Sequence, residues 1–304
     1  MSTDLQELQN RLWGVADELR ANSGLKASEY ASPVLGLIFL RYANDRFDSI
    51  TEQIGSGSDR YTPGPEAYIA QGAIYVPDEA RFETLVNLPE GADLGKSIND
   101  AMKAIEKDNP SLDGVLPRNY TAVSNDVLVE LLRALWALPE SLEGDGFGLI
   151  YEYFLGKFAM SEGQKGGEFF TPTSVVKLIV EILEPFEGRI LDPACGSGGM
   201  FVQSAHFVER NQSKPSEELS VYGQEKTGDT VRLAKMNLAV HGLEGDIRET
   251  NTYYENPFDS VGMFDYVMAN PPFNVKKVDK AKLEDDPRYP LGMPSTDNGN
   301  SLWI

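Results

Sequence analysis

The sequence runs to 304 residues, 41% hydrophobic and 24% charged, enough to bury a sizeable core and, by length, to hold two domains. No uninterrupted apolar run approaches the roughly 18 residues that cross a bilayer, and the opening MSTDLQELQN lacks the charged-then-apolar pattern of a secretory signal, so a cytoplasmic protein is expected. One cysteine and two histidines exclude an internal disulfide and a Cys/His zinc cluster, while 47 acidic against 27 basic side chains, a net −20, mean that any grip on nucleic acid must come mainly from a partner.

From residue 5 to residue 48 apolar side chains recur at helical spacing: Leu5, Leu8 and Leu12, then Val34 and Ile38, with Leu35, Leu37, Phe39 and Leu40 filling the other faces. Ser32-Pro33 reads as an N-cap followed by proline at the first helical position, and the helix after it, apolar nearly all round, as a buried core helix. A Gly/Ser/Pro loop over residues 55–65 precedes helical stretches around 80–88, 94–107 and 125–138. No strand pattern is found before residue 188, so residues 1–146 are expected to form a mainly α-helical N-terminal domain.

After the turn-rich residues 140–146 the pattern changes. Residues 147–159 are aromatic-rich and helix-like, 161–167 form a Gly-bearing loop, and 173–183 are helical. Short apolar runs then end in turns at 189–191, 219–223, 246–249 and 264–269, with helices starting near Gly199 and spanning 229–241 between them. Strands alternating with helices predict an α/β, Rossmann-like, doubly wound and mostly parallel sheet over residues 147–304.

The sharpest local signal is Ile190-Leu191-Asp192-Pro193-Ala194-Cys195-Gly196-Ser197-Gly198-Gly199, an apolar strand, an acid, and a glycine-rich loop opening a helix. No Gly-Lys-Ser/Thr follows, which argues against a phosphate loop. A ligand with both a carboxylate and an ammonium fits better: backbone N–H groups can hold the carboxylate while Asp192 faces the cationic end. On its own the loop leaves a plain strand-to-helix turn equally open. The next strand, ending at Glu225, makes a nucleoside reading stronger, because an acid at that strand end can accept both ribose hydroxyls. At the third strand Asn251 is favoured as the partner of an adenine amino group, with Asp246 as its competitor.

Asn270-Pro271-Pro272-Phe273 closes the fourth strand. Two prolines cannot continue a ladder and hold the chain extended, so neighbouring carbonyls keep one direction. The Asn270 amide oxygen and the Pro271 carbonyl can accept the two hydrogens of a planar amino group while Phe273 stacks on its ring. An isolated Pro-Pro would read as a strand end with a core phenylalanine. Here it follows two cofactor-like strand ends.

At this point the sequence resembles amino-group DNA methyltransferases, and specifically the modification (M) subunit of type I restriction-modification systems. Further resemblance lies from Leu12-Trp13 through Asp45-Arg46-Phe47, in Gly148-Leu149-Ile150-Tyr151-Glu152-Tyr153-Phe154-Leu155, and in Gly166-Gly167-Glu168-Phe169-Phe170-Thr171-Pro172. The resemblance implies S-adenosylmethionine as cofactor and transfer to adenine N6 in DNA. It assigns Asp192, Ser197, Gly198 and Gly199 to the cofactor loop, Glu225 to the ribose, and Asn270, Pro271, Pro272 and Phe273 to the target adenine. Glu168, Phe169, Phe170, Thr171, Pro172 and Thr173 would close over the methionine part of the cofactor. The competing reading has Phe169 and Phe170 anchoring the next helix. Implied partners are DNA, a specificity subunit that reads the sequence and holds two M subunits, and in some assemblies a restriction subunit; no metal and no membrane are implied. Lys276, Lys277, Lys280 and Lys282 would meet phosphates near a flipped base or form a solvated loop. The family continues with more strands and a C-terminal helical region, so the methyltransferase portion is expected to be incomplete at Ile304 and its activity alone is doubtful.

Of three alternatives, the first is excluded and two compete. A cytosine-C5 enzyme needs a thiolate at the target base, and the single Cys195 sits in the cofactor loop. A protein-glutamine methyltransferase shares the Asn-Pro-Pro-aromatic site but not the long helical N-terminal region. A non-catalytic cofactor-binding or assembly fragment is the reading from a different class.

Overall fold

The computed structural model describes residues 3–23, 27–55, 63–139, 146–161, 170–272, 275–289 and 293. They belong to two compact units, residues 1–163 with 240–242, and residues 164–239 with 243–304. Among the described residues no helix is long and apolar enough to cross a membrane.

The regular elements described in the first unit are helices: α1 (Thr3–Ser23), α2 (Ala27–Gly55), α3 (Pro65–Ile69), α4 (Phe82–Val86), α5 (Leu94–Asp108), α6 (Asn125–Trp136) and α7 (Gly146–Ser161). Helix α2 is the core, with Val34, Leu35, Leu37, Ile38, Phe39 and Leu40 all buried, as its all-round apolar pattern predicts. Its start differs from the sequence expectation. Ser32 is not the cap, because α2 begins at Ala27 and Pro33 lies inside it. A proline there forfeits one backbone hydrogen bond to the carbonyl four residues earlier. The turn ahead of it is held by Tyr30, fully buried and edge-on to Phe158, while the Tyr120 hydroxyl donates to the Pro33 carbonyl at 3.1 Å.

Trp13 of α1 sits edge-on to Phe154 and Phe158 of α7 with ring centroids 5.5 and 5.1 Å apart, an arrangement that adds to the burial of three large rings. The helix expected around 80–88 breaks in two, a 3-10 turn at Asp78–Ala80 and then α4. Arg81 between them is extended (φ −60°, ψ 136°), with its guanidinium 3.7 Å from the Phe47 ring centroid and 2.9 Å from Asp48. Helix α5 starts where Asp93 accepts the Lys96 N–H at 2.9 Å, an N-cap bond.

The second unit carries α8 (Thr173–Leu183), β1 (Gly188–Asp192), α9 (Gly199–Arg210), α10 (Pro215–Glu218), β2 (Leu219–Glu225), α11 (Gly228–Val240), β3 (Gly245–Glu249) and β4 (Tyr266–Val267). All four strands run parallel in the order β3-β2-β1-β4, with Ile190 of β1 level with both Val221 of β2 and Tyr266 of β4. Helices α8 and α9 pack together, and Val176, Val180, Phe201, Ala205, Ala234 and Leu238 cover Ile190, Val221 and Ile247 in one core. Strand β4 is shorter than residues 264–269. Pairing continues for one residue on either side, Asp265 N–H to Arg189 and Met268 N–H to Leu191, both 3.0 Å, and the prolines at 271 and 272 then end it.

From β1 the chain winds outward through β2 to β3, then returns to the other flank of β1 with β4. The carboxyl ends of β1 and β4 therefore flank the switch point of the sheet, where a doubly wound fold opens a crevice for ligands.

Candidate active site at the sheet switch point

Asp192, the last residue of β1, is 1% exposed, and its carboxylate accepts the Ala194 N–H at 2.9 Å. Burial pushes its carboxyl up to about 7; the Ala194 hydrogen bond pulls the other way, and the nearby Glu225 adds to the rise. Among the described residues no cation pairs with it. A buried carboxylate left without a counter-charge, beside a glycine loop, is a ready partner for a cationic ligand.

The loop that follows is tied down strand by strand. Cys195 N–H donates to Gln224 O at 3.0 Å, Gly196 N–H to a Glu225 carboxylate oxygen at 3.2 Å, and Asn237 of α11 donates to the Ser197 carbonyl at 2.8 Å. Gly198 is the N-cap of α9 at φ 81°, a left-handed backbone that glycine adopts without strain. Gly223 of β2 lets the loop lie close: a Cβ there would come 2.6 Å from Ile247 and 2.9 Å from the Cys195 sulfur. Among the described residues nothing lies within 4 Å of where a Cβ on Gly199 would sit.

Glu225 ends β2 with one carboxylate oxygen on Gly196 N–H and the other on Lys226 N–H (2.7 Å) and Thr227 N–H (3.3 Å). Such a carboxylate is held by backbone donors and keeps acceptor capacity for hydroxyls. Asp246 lies near the amino end of β3, away from the crevice, and its carboxylate is occupied by Arg248 at 2.6 Å. Asn251 lies just beyond the carboxyl end of β3, where its side-chain oxygen accepts the Tyr253 N–H at 3.2 Å.

Asn270 follows β4 and is half-buried, with its side-chain N–H donating to the Thr171 hydroxyl at 3.0 Å. Thr171 and Asn270 line one small pocket together with Asp192, Cys195, Ser197 and Gly199. This brings the segment before α8, the β1 loop and the end of β4 to one place. Phe170 and Pro271 are half-buried, Pro172 and Pro272 exposed, and Thr173 is the exposed first residue of α8. Glu168, Phe169 and Phe273 lie outside the described residues.

Cys195 is buried, and burial, with Asp192 and Glu225 adding to it, pushes its thiol well above the usual range, which does not suit a nucleophile. Several supporting residues had no sequence signal beyond a polar side chain in an apolar run. Asn237 is one; Gln224, 2.9 Å from the Thr250 hydroxyl, is another; Thr252, which donates to the Pro193 carbonyl, is a third.

Residues 142–304, more than half of the chain, match the family model for N-6 DNA methylase, and residues 8–135 match the HsdM N-terminal domain. The chain belongs to the N-6 DNA methylase family. Within that family it is similar to the type I restriction enzyme MjaIX methylase subunit of Methanocaldococcus jannaschii, 39% identical over 98% of this chain and 58% of the relative. It is also similar to the HindI methylase subunit of Haemophilus influenzae, 40% identical over 75% of this chain and 57% of the relative. The chain thus spans less than two thirds of the length of either. Among solved structures, the type I restriction-modification system methyltransferase subunit from Streptococcus thermophilus shares the fold with a TM-score of 0.81, over 98% of this chain and 70% of that one, at 24% identity.

S-adenosylmethionine is the cofactor of this N-6 DNA methylase fold. The residues present fit it, since the buried Asp192 carboxylate, with no cation beside it among the described residues, suits its cationic methionine end and the backbone-held Glu225 its ribose.

Proposed function

We propose that the full-length protein is the modification subunit of a type I restriction-modification system and methylates adenine N6 in DNA. The reading rests on one juxtaposition: Asn270, just past the carboxyl end of β4, shares a pocket with the glycine loop of β1, at the switch point of an N-6 DNA methylase sheet. Residues 1–146 serve as the helical N-terminal domain and 147–304 as the part that carries the transfer site, although its first helix, α7, packs within the helical unit. The partners are DNA, a specificity subunit that reads the sequence and holds two copies of this chain, and, in some assemblies, a restriction subunit. A net charge of −20 supports division of labour, because a catalytic subunit this acidic needs another chain to hold the phosphate backbone. The compartment is the cytoplasm.

When bound, S-adenosylmethionine supplies an electrophilic methyl group on a sulfonium. The chain does the rest by orientation. Ser197, Gly198 and Gly199 would hold the cofactor carboxylate, Asp192 would face its cationic end, Glu225 would accept the ribose hydroxyls and Asn251 would meet its adenine. Residues 168–173 cover the methionine part. The target adenine is inaccessible in a duplex and must be flipped out of the stack. Asn270 Oδ1 and the Pro271 carbonyl would then accept the two N6 hydrogens, which would free the nitrogen lone pair from the ring to take the methyl group. The S–CH3 bond would break as N–CH3 forms, the sulfur leaving as a neutral thioether and one N6 proton passing to water. Phe273 stacks on the flipped base. Proximity and alignment supply most of the acceleration.

The test is transfer from labelled S-adenosylmethionine by the full-length chain with its specificity subunit, followed by analysis of the labelled product. Label is expected in N6-methyladenine, and Asn270→Ala is expected to lower transfer by at least about 10³-fold with cofactor affinity retained, since it removes a contact used in the transition state. Label in protein glutamine, with none in DNA, would refute the proposal.

A further inference from the structure

Thr171 has so far been grouped with the segment that covers the cofactor, but its hydroxyl is spent on Asn270. The contact joins residues 99 apart in sequence at 3.0 Å, and both side chains line the pocket that contains Asp192 and Ser197. Each end is anchored. Thr171 lies two residues before α8, whose Val176 and Val180 are buried in the sheet core, and Asn270 lies two residues after Met268, whose N–H is bonded to Leu191 of β1.

We infer that Thr171 is a positioning residue for methyl transfer, holding the Asn270 amide so that its oxygen is presented to the target amino group. The inference rests on the function proposed above. An amide carries its NH2 and its oxygen on opposite sides of one carbon, so fixing the nitrogen on Thr171 turns the oxygen away from Thr171. The opposite orientation would meet the N6 hydrogens with N–H groups, donor against donor. Donation from the amide nitrogen also polarises the amide and strengthens its oxygen as an acceptor, the cooperative effect of linked hydrogen bonds. Among the described residues no donor engages that oxygen, which leaves it available. Thr171 thereby links the segment assigned to cofactor closure with the group that handles the base.

The test compares Thr171→Val, which keeps shape and loses the hydroxyl, with Thr171→Ser, which keeps the hydroxyl, in the full-length chain with its specificity subunit. At saturating S-adenosylmethionine, kcat should fall about 10- to 100-fold in Thr171→Val, the scale expected when a reacting contact is loosened, with cofactor Kd within about 2-fold. Thr171→Ser should recover most of the rate. Independently of activity, the side-chain amide resonances of Asn270 in asparagine-labelled full-length chain, assigned by their loss in Asn270→Ala, should shift and exchange faster in Thr171→Val and return in Thr171→Ser. A raised cofactor Kd with kcat retained, or an Asn270 amide signal unmoved in Thr171→Val, would overturn the inference. If the wild type transfers no methyl to DNA, the proposed function fails, while the amide signal still decides whether Thr171 orients Asn270.

Discussion

Glu106 in the helical unit and Asp192 in the sheet unit are both acids with almost no exposure, 4% and 1%, yet the protein treats them in opposite ways. Glu106 receives the Leu116 N–H at 2.7 Å on one oxygen and the Arg118 guanidinium on the other. Arg41, buried in the same unit, pairs with Asp45, donates to the Leu135 carbonyl and lies against the Trp136 ring. Asp192 has a single backbone N–H, a neighbouring acid that raises its carboxyl further, and no cation among the described residues. A buried charge matched by its own fold belongs to the architecture. One left unmatched at the mouth of a crevice anticipates a charge brought by a ligand.

The comparison can be broken first at Arg118. Removing it leaves Glu106 buried with the Leu116 N–H as its one partner among the described residues, so Arg118→Met should destabilise the protein. Removing one partner of a buried pair costs about 3–5 kcal/mol. Arg118 is 42% exposed, so water already screens the pair and about 2 kcal/mol is the expected loss in denaturant unfolding. Asp192→Asn should do the reverse. It removes a carboxylate that the fold does not neutralise, so at pH 8 the ligand-free protein should be no less stable, while affinity for S-adenosylmethionine falls at least about 10-fold, the loss of one charge-assisted contact. At the small end, Lys96 and Asp100 form an exposed pair at 2.5 Å along α5, and Lys96→Ala should leave the melting temperature unchanged within error.

The pH dependence carries a definite sign. The Asp192 carboxyl titrates near 7 in the folded chain and near 4 when unfolded, so its contribution to stability is fully present below about pH 4 and is lost as pH rises to about 7. A cationic ligand needs the ionised form. Cofactor affinity should therefore weaken by up to about tenfold per pH unit below 7 and level off above it through this group. The same ligand should raise the melting temperature more at pH 8 than at pH 6.

Much of this arrangement is legible in the amino-acid sequence. The alternation of short apolar runs with helices after residue 188 marks a parallel sheet, and the acid-then-glycine order at Asp192 to Gly199 marks its first loop because both are local patterns. Pro33 misled for an equally physical reason. Its position as the start of α2 follows from local preference, whereas burial of Tyr30 against Phe158 of α7 draws the helix back to Ala27. The competition between Asp246 and Asn251 was open because strand ends are not visible in sequence to within a few residues; β3 starts at Gly245, which puts Asp246 near its amino end. The bonds that knit the site, Asn237 to Ser197, Thr252 to Pro193 and Thr171 to Asn270, join residues far apart in the chain and leave no periodic trace.

The central claim, that the unmatched Asp192 charge is reserved for the cofactor's cation, is tested most directly by calorimetry of S-adenosylmethionine binding to the full-length wild type and Asp192→Asn at pH 6 and pH 8. The cofactor's own α-amine titrates near pH 8, so the difference between the two proteins isolates Asp192. The account predicts that wild type releases more protons than the variant at pH 6, and that its affinity advantage over the variant is larger at pH 8. Equal affinities for the two proteins at both pH values would contradict it.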